Sequence, residues 1–459
     1  MRKDCIFLRT EPRLCGGKTM TVNGIIAEYN PFHNGHQYHL ERSRMETGAD
    51  YNVVVLSSNF TQRGEPAILD KFARAKMALE CGADLVLELP IFCSAASAEY
   101  FARGGVSILH QLGVVDYLCF GSECGKVDIL ERFAKIMLEE PARFVKDLKS
   151  ALAAGHSYPV ARNRALMDYA PELAKYENIL ASPNNILGIE YIKALLSFDS
   201  KIKPYTIQRA GANYHDRLFG AEYCSALALR EALNSDQKPL TLASQMPKKA
   251  FRILSESLIE TPPITSEDFS QMLLYKLLME KDAGFDDYVD VTPELSDRIR
   301  NMLKDYQGFS QFCDMLKSKN MTYARISRSL LHILLDDKKD NALSEAGNES
   351  KQVVATTHVR KSDGKPNSDL GHTPTDASIV PYARVLGFRK DAAPLLTEIK
   401  KNSKIPLVTK LADAKEVLDE TTHALLTEDL RKGSIYESIA AIKAGRAAMD
   451  ERQRQIVVI

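Results

Sequence analysis

Short runs of β-branched and other apolar residues alternate with longer stretches of helical apolar spacing through the first half of the chain. Val22 to Ala27, Tyr51 to Ser57, Asp84 to Leu89, Asp116 to Phe120 and Pro204 to Gln208 read as five strands. Between them, Asp70 to Leu79, Ser97 to Leu109 and Val127 to Leu138 repeat apolar residues at three- and four-residue steps, which predicts amphipathic helices. Parallel neighbours need such crossovers, so the alternation predicts an α/β fold with a parallel sheet.

From about Asn234 the alternation stops, and Pro247 to Leu258, Ser266 to Leu278, Thr292 to Leu303, Ser310 to Lys317 and Thr322 to Leu335 all read as helices. Lys338 to Thr375 is dominated by Gly, Asn, Ser, Asp and Lys, with Val353-Val354 as its one apolar pair, and predicts a long mobile loop. Order resumes at Ile379, with closing helices from Leu411 to Val417 and from Tyr436 to Ala448. The organisation expected is an N-terminal extension over 1–19, with Met20 as an alternative start, a sheet domain over 20–235 and a mostly helical domain over 236–459.

Composition removes several classes of function. With 459 residues, 45% hydrophobic and 26% charged, the chain is long and apolar enough for sizeable cores and is neither disordered nor collagen-like. No run of about 18 apolar residues is present, which argues against a membrane-spanning helix. The 60 basic residues balance the 60 acidic ones, so attraction to a polyanion must come from local clusters. Eight cysteines at irregular spacings, with no Cys-x-x-Cys pair, read as reduced intracellular thiols and predict no structural metal site. A cytoplasmic location is expected.

The segment richest in chemistry is Gly24 to Leu40, in which a buried strand meets a turn at Asn30-Pro31 and His33-Asn34-Gly35-His36 opens a helix. The first N–H groups of a helix are unpaired and its dipole is positive there, so this turn suits the phosphates of a nucleoside triphosphate. Gly35 lets a ligand approach the backbone, and two imidazoles three residues apart share one face of the turn. Donors placed there stabilise charge developing on an α-phosphate as pyrophosphate is displaced. A metal cluster or a plain polar surface is the alternative for these histidines, and for His39, outside the pair, a ligand contact and a plain helix-face histidine both stay open.

The His-x-Gly-His element on a first strand–helix turn resembles that of nucleotidyltransferases and class I aminoacyl-tRNA synthetases. The longer string Glu28-Tyr29-Asn30-Pro31-Phe32-His33-Asn34-Gly35-His36 is similar to the bacterial tRNA(Met) cytidine acetate ligase family. Gln62-Arg63-Gly64-Glu65-Pro66-Ala67, Phe120-Gly121-Ser122-Glu123, Ser182-Pro183-Asn184-Asn185-Ile186-Leu187-Gly188 and Thr206-Ile207-Gln208-Arg209 agree with it. The resemblance is strong from Met20 to Leu233 and looser beyond. It implies a Rossmann-like nucleotidyltransferase domain followed by a tRNA-binding helical domain. It also implies an enzyme that activates acetate with ATP, magnesium accompanying the pyrophosphate, and acetylates the wobble cytidine of elongator tRNA(Met). By resemblance His33 and His36 are catalytic, and ATP contacts Ile26, Ala27, Glu28, Tyr29, Asn30, Pro31, Phe32, Asn34, Gly35, Gln37, Tyr38, His39, Gly121, Arg209 and one or other of Asn184 and Asn185. A turn glycine at 121 and helix capping at 184 and 185 are the plainer readings.

Arg63, Lys71 and Arg74 follow the second strand and are candidates for phosphate or RNA, with a solvated helix face as the alternative. Ser225-Ala226-Leu227-Ala228-Leu229-Arg230 departs from the family's Ser-Ala-Thr-x-x-Arg: Ser225 and Arg230 remain phosphate candidates, but Leu227 replaces the hydroxyl. Four basic and no acidic residues lie between Met315 and Leu335, and seven basic face two acidic ones between Tyr382 and Lys410. With Tyr323, Tyr382 and Phe388 interleaved, Arg325, Arg328, Arg384 and Lys390 are the expected tRNA contacts, against solvated basic helices as the alternative. Two rival functions share parts of the pattern: a nucleotidyltransferase adenylating a phosphorylated small molecule, and a non-catalytic tRNA-binding protein.

Overall fold

The computed structural model describes residues 20–209, 225–234, 242–319, 321–339 and 379–459. The extension expected over 1–19, and the expected loop from residue 340 onward, lie outside the described residues.

Five parallel strands follow the alternation in the sequence: β1 (Val22–Ala27), β2 (Tyr51–Ser57), β3 (Leu85–Leu89), β4 (Tyr117–Ser122) and β5 (Lys203–Gln208). Their order is β5-β4-β1-β2-β3. The central strands are buried along almost their whole length because helices cover both faces, as continuous Val, Ile and Leu runs require. After β3 the chain crosses back to the other side of β1, so β1 and β4 form a topological switch point. At such a point the flanking loops diverge and leave a crevice at the carboxyl ends of the strands.

The second half is mostly helical, as expected, and also contributes strands that the sequence pattern did not predict. β6 (Ala383–Phe388) adds to the same sheet antiparallel to β3, and β7 (Leu407–Val408) and β8 (Val457–Val458) pair with β6. Its register brings Arg384 beside buried Glu88 of β3, Nη1 to Oε2 2.8 Å, while Arg384 and Lys71 both pair with Glu451 at 2.5 Å. Arg384 is 5% exposed and Tyr382 is 1% exposed, so the expected tRNA contact and base-stacking roles of these two are withdrawn.

In the chain between β5 and β6, helices Pro293–Met302, Phe309–Leu316 and Tyr323–Leu334 build a second core around Ile299, Phe312, Ile326 and Leu330. Phe60, Ile91 and Ala95 of the sheet domain belong to that same core, which fixes the helical module against the first. The long helix Glu420–Ala444 ties them together: the Ile91 N–H donates to Asp429 Oδ1 at 2.6 Å and the Tyr436 hydroxyl donates to the Ala67 carbonyl at 2.7 Å. No described helix is long and apolar enough to cross a membrane.

Candidate active site

At the end of β1 the chain turns through Tyr29, which holds a left-handed φ of 47°, and a cis Asn30–Pro31 peptide. A bulky residue keeps such a φ only where packing compensates. The buried Tyr29 ring lies 4.8 Å from both Phe32 and His36, centroid to centroid. Asn30 is held from two sides, its Oδ1 accepting the Ile68 N–H at 2.9 Å and its carbonyl accepting Arg230 Nη1 at 2.9 Å.

The helix Asn34–Thr47 then begins with a cap built from two histidines. The Gly35 N–H donates to His33 Nδ1 at 3.0 Å, and the His33 N–H donates to His36 Nδ1 at 3.2 Å. The rings stack with centroids 3.7 Å apart. Burial, reinforced by Arg209 and Arg230, pulls His33 down to about 3; burial, with His33, Arg209 and His39 nearby, holds His36 well below its ordinary value. Both rings are therefore neutral near pH 7. A neutral imidazole whose Nδ1 accepts must carry its proton on Nε2. Each ring thus retains one Nε2–H donor, and both rings line the same cleft.

That cleft, about 300 Å³, opens at the β1/β4 switch point. Of the expected residues, Ile26, Ala27, Glu28, Tyr29, Asn30, Gly35, Tyr38 and His39 line it beside the two histidines, as do Gly121, Asn184, Arg209, Arg63, Ser225 and Arg230. Burial and Arg209 draw His39 down to about 4, so it too is neutral. Gly121 lies inside β4 opposite Ile207, so no turn requires it; a Cβ there would stand 3.4 Å from Arg209 Cγ, in the space between strand and guanidinium.

Other expected residues are not part of the cleft lining. Phe32 is fully buried, Asn34 Nδ2 donates to the Ser244 carbonyl at 2.9 Å, and Gln37 Nε2 donates to Glu41 at 2.7 Å. Pro31 is buried beside Asn30. The two asparagines divide: Asn185 is 2% exposed and its Oδ1 accepts the Cys124 N–H, whereas Asn184 faces the cleft. Glu123 directs both, accepting from Asn184 Nδ2 at 2.7 Å and from the Asn185 N–H at 2.8 Å at the start of helix Pro183–Ser197.

Lys71 and Arg74 do not meet solvent, against the expectation of phosphate or RNA contact. Lys71 is 2% exposed and pairs with Glu88 and Glu451. Arg74 is fully buried and donates from Nη1 to the Glu28 carbonyl at 2.7 Å and the Ser57 carbonyl at 3.1 Å, and from Nη2 to the Ser58 carbonyl. It fastens the ends of β1 and β2 and so shapes the cleft from behind. Arg328 is paired with Asp290 at 2.8 Å and largely covered; Arg325 is half-buried and Lys390 exposed.

The helical module supports the cleft through Gly64. This residue has φ of 76°, and a Cβ on it would lie 2.3 Å from the backbone nitrogen of Arg328. Its carbonyl accepts the Ser327 hydroxyl at 2.9 Å, which sets Arg63 and Glu65 on the cleft wall. Across the cleft, Ser225 Oγ accepts the Ala228 N–H at 3.2 Å, and Leu227 lines the wall where a hydroxyl was expected by resemblance. Sequence reasoning also missed Leu187 and Tyr191, which line the cleft with Asn184. Their spacing of three and seven residues from Asn184 marks one helix face and was legible in principle.

Two neutral donors, three guanidinium groups and the starts of two helices converge on one apolar-floored crevice, a setting suited to a polyphosphate attached to a flat ring. The model of the HIGH nucleotidyl transferase family matches residues 20–361 and 367–452. The tRNA(Met) cytidine acetate ligase of Acetivibrio thermocellus is 38% identical over 96% of this chain and 100% of its own length. That of Clostridium novyi is 38% identical over 85% of this chain and 90% of its own. The crystal structure of Thermotoga maritima TmcAL bound with alpha-thio ATP superposes with a TM-score of 0.82 at 29% identity, covering 96% of this chain and 100% of that one. The chain belongs to the tRNA(Met) cytidine acetate ligase family of HIGH nucleotidyl transferases.

Proposed function

We propose that this chain is an ATP-dependent acetate ligase that makes N4-acetylcytidine at the wobble position of elongator tRNA(Met), acting in the cytoplasm where its RNA substrate is found. The observation that carries the reading is the pair of Nε2–H donors on His33 and His36 at the β1/β4 switch point. In the first step an acetate oxygen bonds to the α-phosphorus of ATP, the bond to pyrophosphate breaks, and acetyladenylate forms. The two imidazoles donate to the α-phosphoryl oxygens as charge gathers there, and need no proton of their own to leave. Arg209, Arg230 and Arg63 face the β- and γ-phosphates, with Ser225 beside them, and Asn184 and Gly121 bound the nucleoside. Among the described residues no cluster of three or more His, Cys, Asp or Glu is placed to hold a metal. Magnesium would therefore ride on the triphosphate oxygens, where it neutralises the leaving pyrophosphate.

In the second step the exocyclic amine of cytidine attacks the acetyl carbon, AMP leaves, and the amine gives up a proton. Arg325 and Lys390 remain candidates for tRNA phosphates. The test is nucleoside mass spectrometry of elongator tRNA(Met) after incubation with the protein, ATP and isotopically labelled acetate. Labelled N4-acetylcytidine is the expected product. Transfer of adenylyl to a phosphorylated small molecule, with no labelled nucleoside, would favour the small-molecule nucleotidyltransferase instead.

A further inference from the structure

The crossover from β4 to β5 is far longer than a parallel connection needs, because a helical hairpin is inserted in it. Helices Ala142–Ala153 and Tyr158–Tyr169 pack against each other and turn at Gly155. Their inner residues Phe144, Ala151, Ala161 and Leu166 account for the packing. The tip is different in kind. Tyr158 is 55% exposed and Val160 is 52% exposed, where an ordinary helix start would carry small polar groups. The Arg162 guanidinium lies 5.7 Å from the Tyr158 ring centroid, and Arg164 reaches His156 Nε2 at 3.4 Å. From Ala142 to Tyr169 there are five basic residues, Arg143, Lys146, Lys149, Arg162 and Arg164, against two acidic ones, Asp147 and Asp168.

The tip is also tied to the cleft's surroundings. Lys319 Nζ donates to the Gly155 carbonyl at 3.5 Å. Lys319 sits just ahead of the helix Tyr323–Leu334, the same helix whose backbone meets Gly64 of the cleft loop.

We infer that this hairpin tip is a docking surface for an unpaired stretch of RNA, with Tyr158 as the platform for one base and Arg162, Arg164 and Lys149 as phosphate contacts. The inference rests on the proposed tRNA reading and adds a surface to it. An exposed ring stacks on a base without regard to sequence, and a cation beside the ring meets the adjoining phosphate, which is the usual chemistry of single-strand binding. An apolar protein partner would not favour a ring with the Arg162 guanidinium 5.7 Å from its centroid and Arg164 two residues further on.

The test uses the full chain and three variants: Tyr158→Ala, Tyr158→Phe and the double variant Arg162→Gln with Arg164→Gln. Filter binding to elongator tRNA(Met) across a salt series is read beside acetate-dependent ATP–pyrophosphate exchange, which also reports that each variant is folded. Tyr158→Ala is expected to weaken tRNA binding about tenfold, while Tyr158→Phe keeps wild-type affinity. The double variant is expected to lower the log–log salt slope by about 0.7 for each lost phosphate contact. Exchange should be unchanged in all three. Wild-type affinity and slope in Tyr158→Ala and in the double variant would overturn this surface alone. A wild-type protein that binds no tRNA would overturn the ligase reading, and this surface with it.

Discussion

His33 and His36 act on this account as neutral donors, and their titration has two consequences. An unfolded histidine titrates near 6.5, whereas folded His33 and His39 are held down to about 3 and about 4. As pH falls, the unfolded chain takes up protons first, so the histidines' share of stability is full above about pH 6.5 and is lost toward the folded values. Urea melts at pH 8, 6.5 and 5 should show declining stability, with a smaller decline in a variant carrying His39→Asn. Acetate activation, by contrast, should show no histidine ionisation between pH 6 and 8. Replacing His36 with Ala should lower activation on the order of 100-fold or more while tRNA affinity stays near wild type. Glu123 offers a second residue-level check: it acts through Asn184, so Glu123→Gln should raise KM for ATP more than it lowers kcat, with Asn184→Ala giving the same pattern. The string from Glu28 to His36 was legible because its chemistry is contiguous. The choice between Asn184 and Asn185 was not, since it is made by a carboxylate 61 residues upstream of one and 62 upstream of the other.

The five parallel strands were readable as elements, to within a residue or two, the central ones because buried strands under helices are continuous apolar runs and the edge strand β5 from its short β-prone segment Tyr205-Thr206-Ile207. β6 escaped because Arg384 stands in it, and a guanidinium in a central strand makes sense only once Glu88 and Glu451 are seen around it. The helix expected over Tyr436 to Ala448 runs from Glu420 to Ala444, with Gly433 inside it. In the fold that glycine faces a Glu451 carboxylate oxygen 3.3 Å from where its Cβ would be, and lets the C-terminal segment lie close. Arg384→Ala leaves two buried carboxylates under-compensated and should destabilise the protein by about 3–5 kcal/mol in denaturant melts. If the melt is unchanged and tRNA binding falls, Arg384 is a surface contact after all. Gly64→Ala should likewise be costly, about 1–3 kcal/mol, because its Cβ meets helix backbone and its φ is left-handed.

At the scale of the molecule, the sheet and the helical module share a core through Phe60, Ile91 and Ala95, and the cleft loop bearing Arg63 rests on the helix Tyr323–Leu334. On the proposed reading nucleotide chemistry stays at the switch point, while the surfaces proposed for RNA lie on the helical hairpin between β4 and β5, on the helical module at Arg325 and just after β6 at Lys390. The two steps should separate: activation needs acetate and ATP, and transfer alone needs tRNA. The sequence carried this division in outline, since the phosphate-binding turn and the basic clusters occupy different stretches. It did not disclose which cations are spent on buried carboxylates, because pairing across several hundred residues leaves no local trace. Acetate-dependent exchange of labelled pyrophosphate into ATP, measured on the full chain without tRNA, tests the central claim most directly. The account predicts exchange that requires acetate, proceeds without RNA and is lost in His36→Ala; exchange that ignores acetate, or none at all in a folded protein supplied with ATP and magnesium, would contradict it.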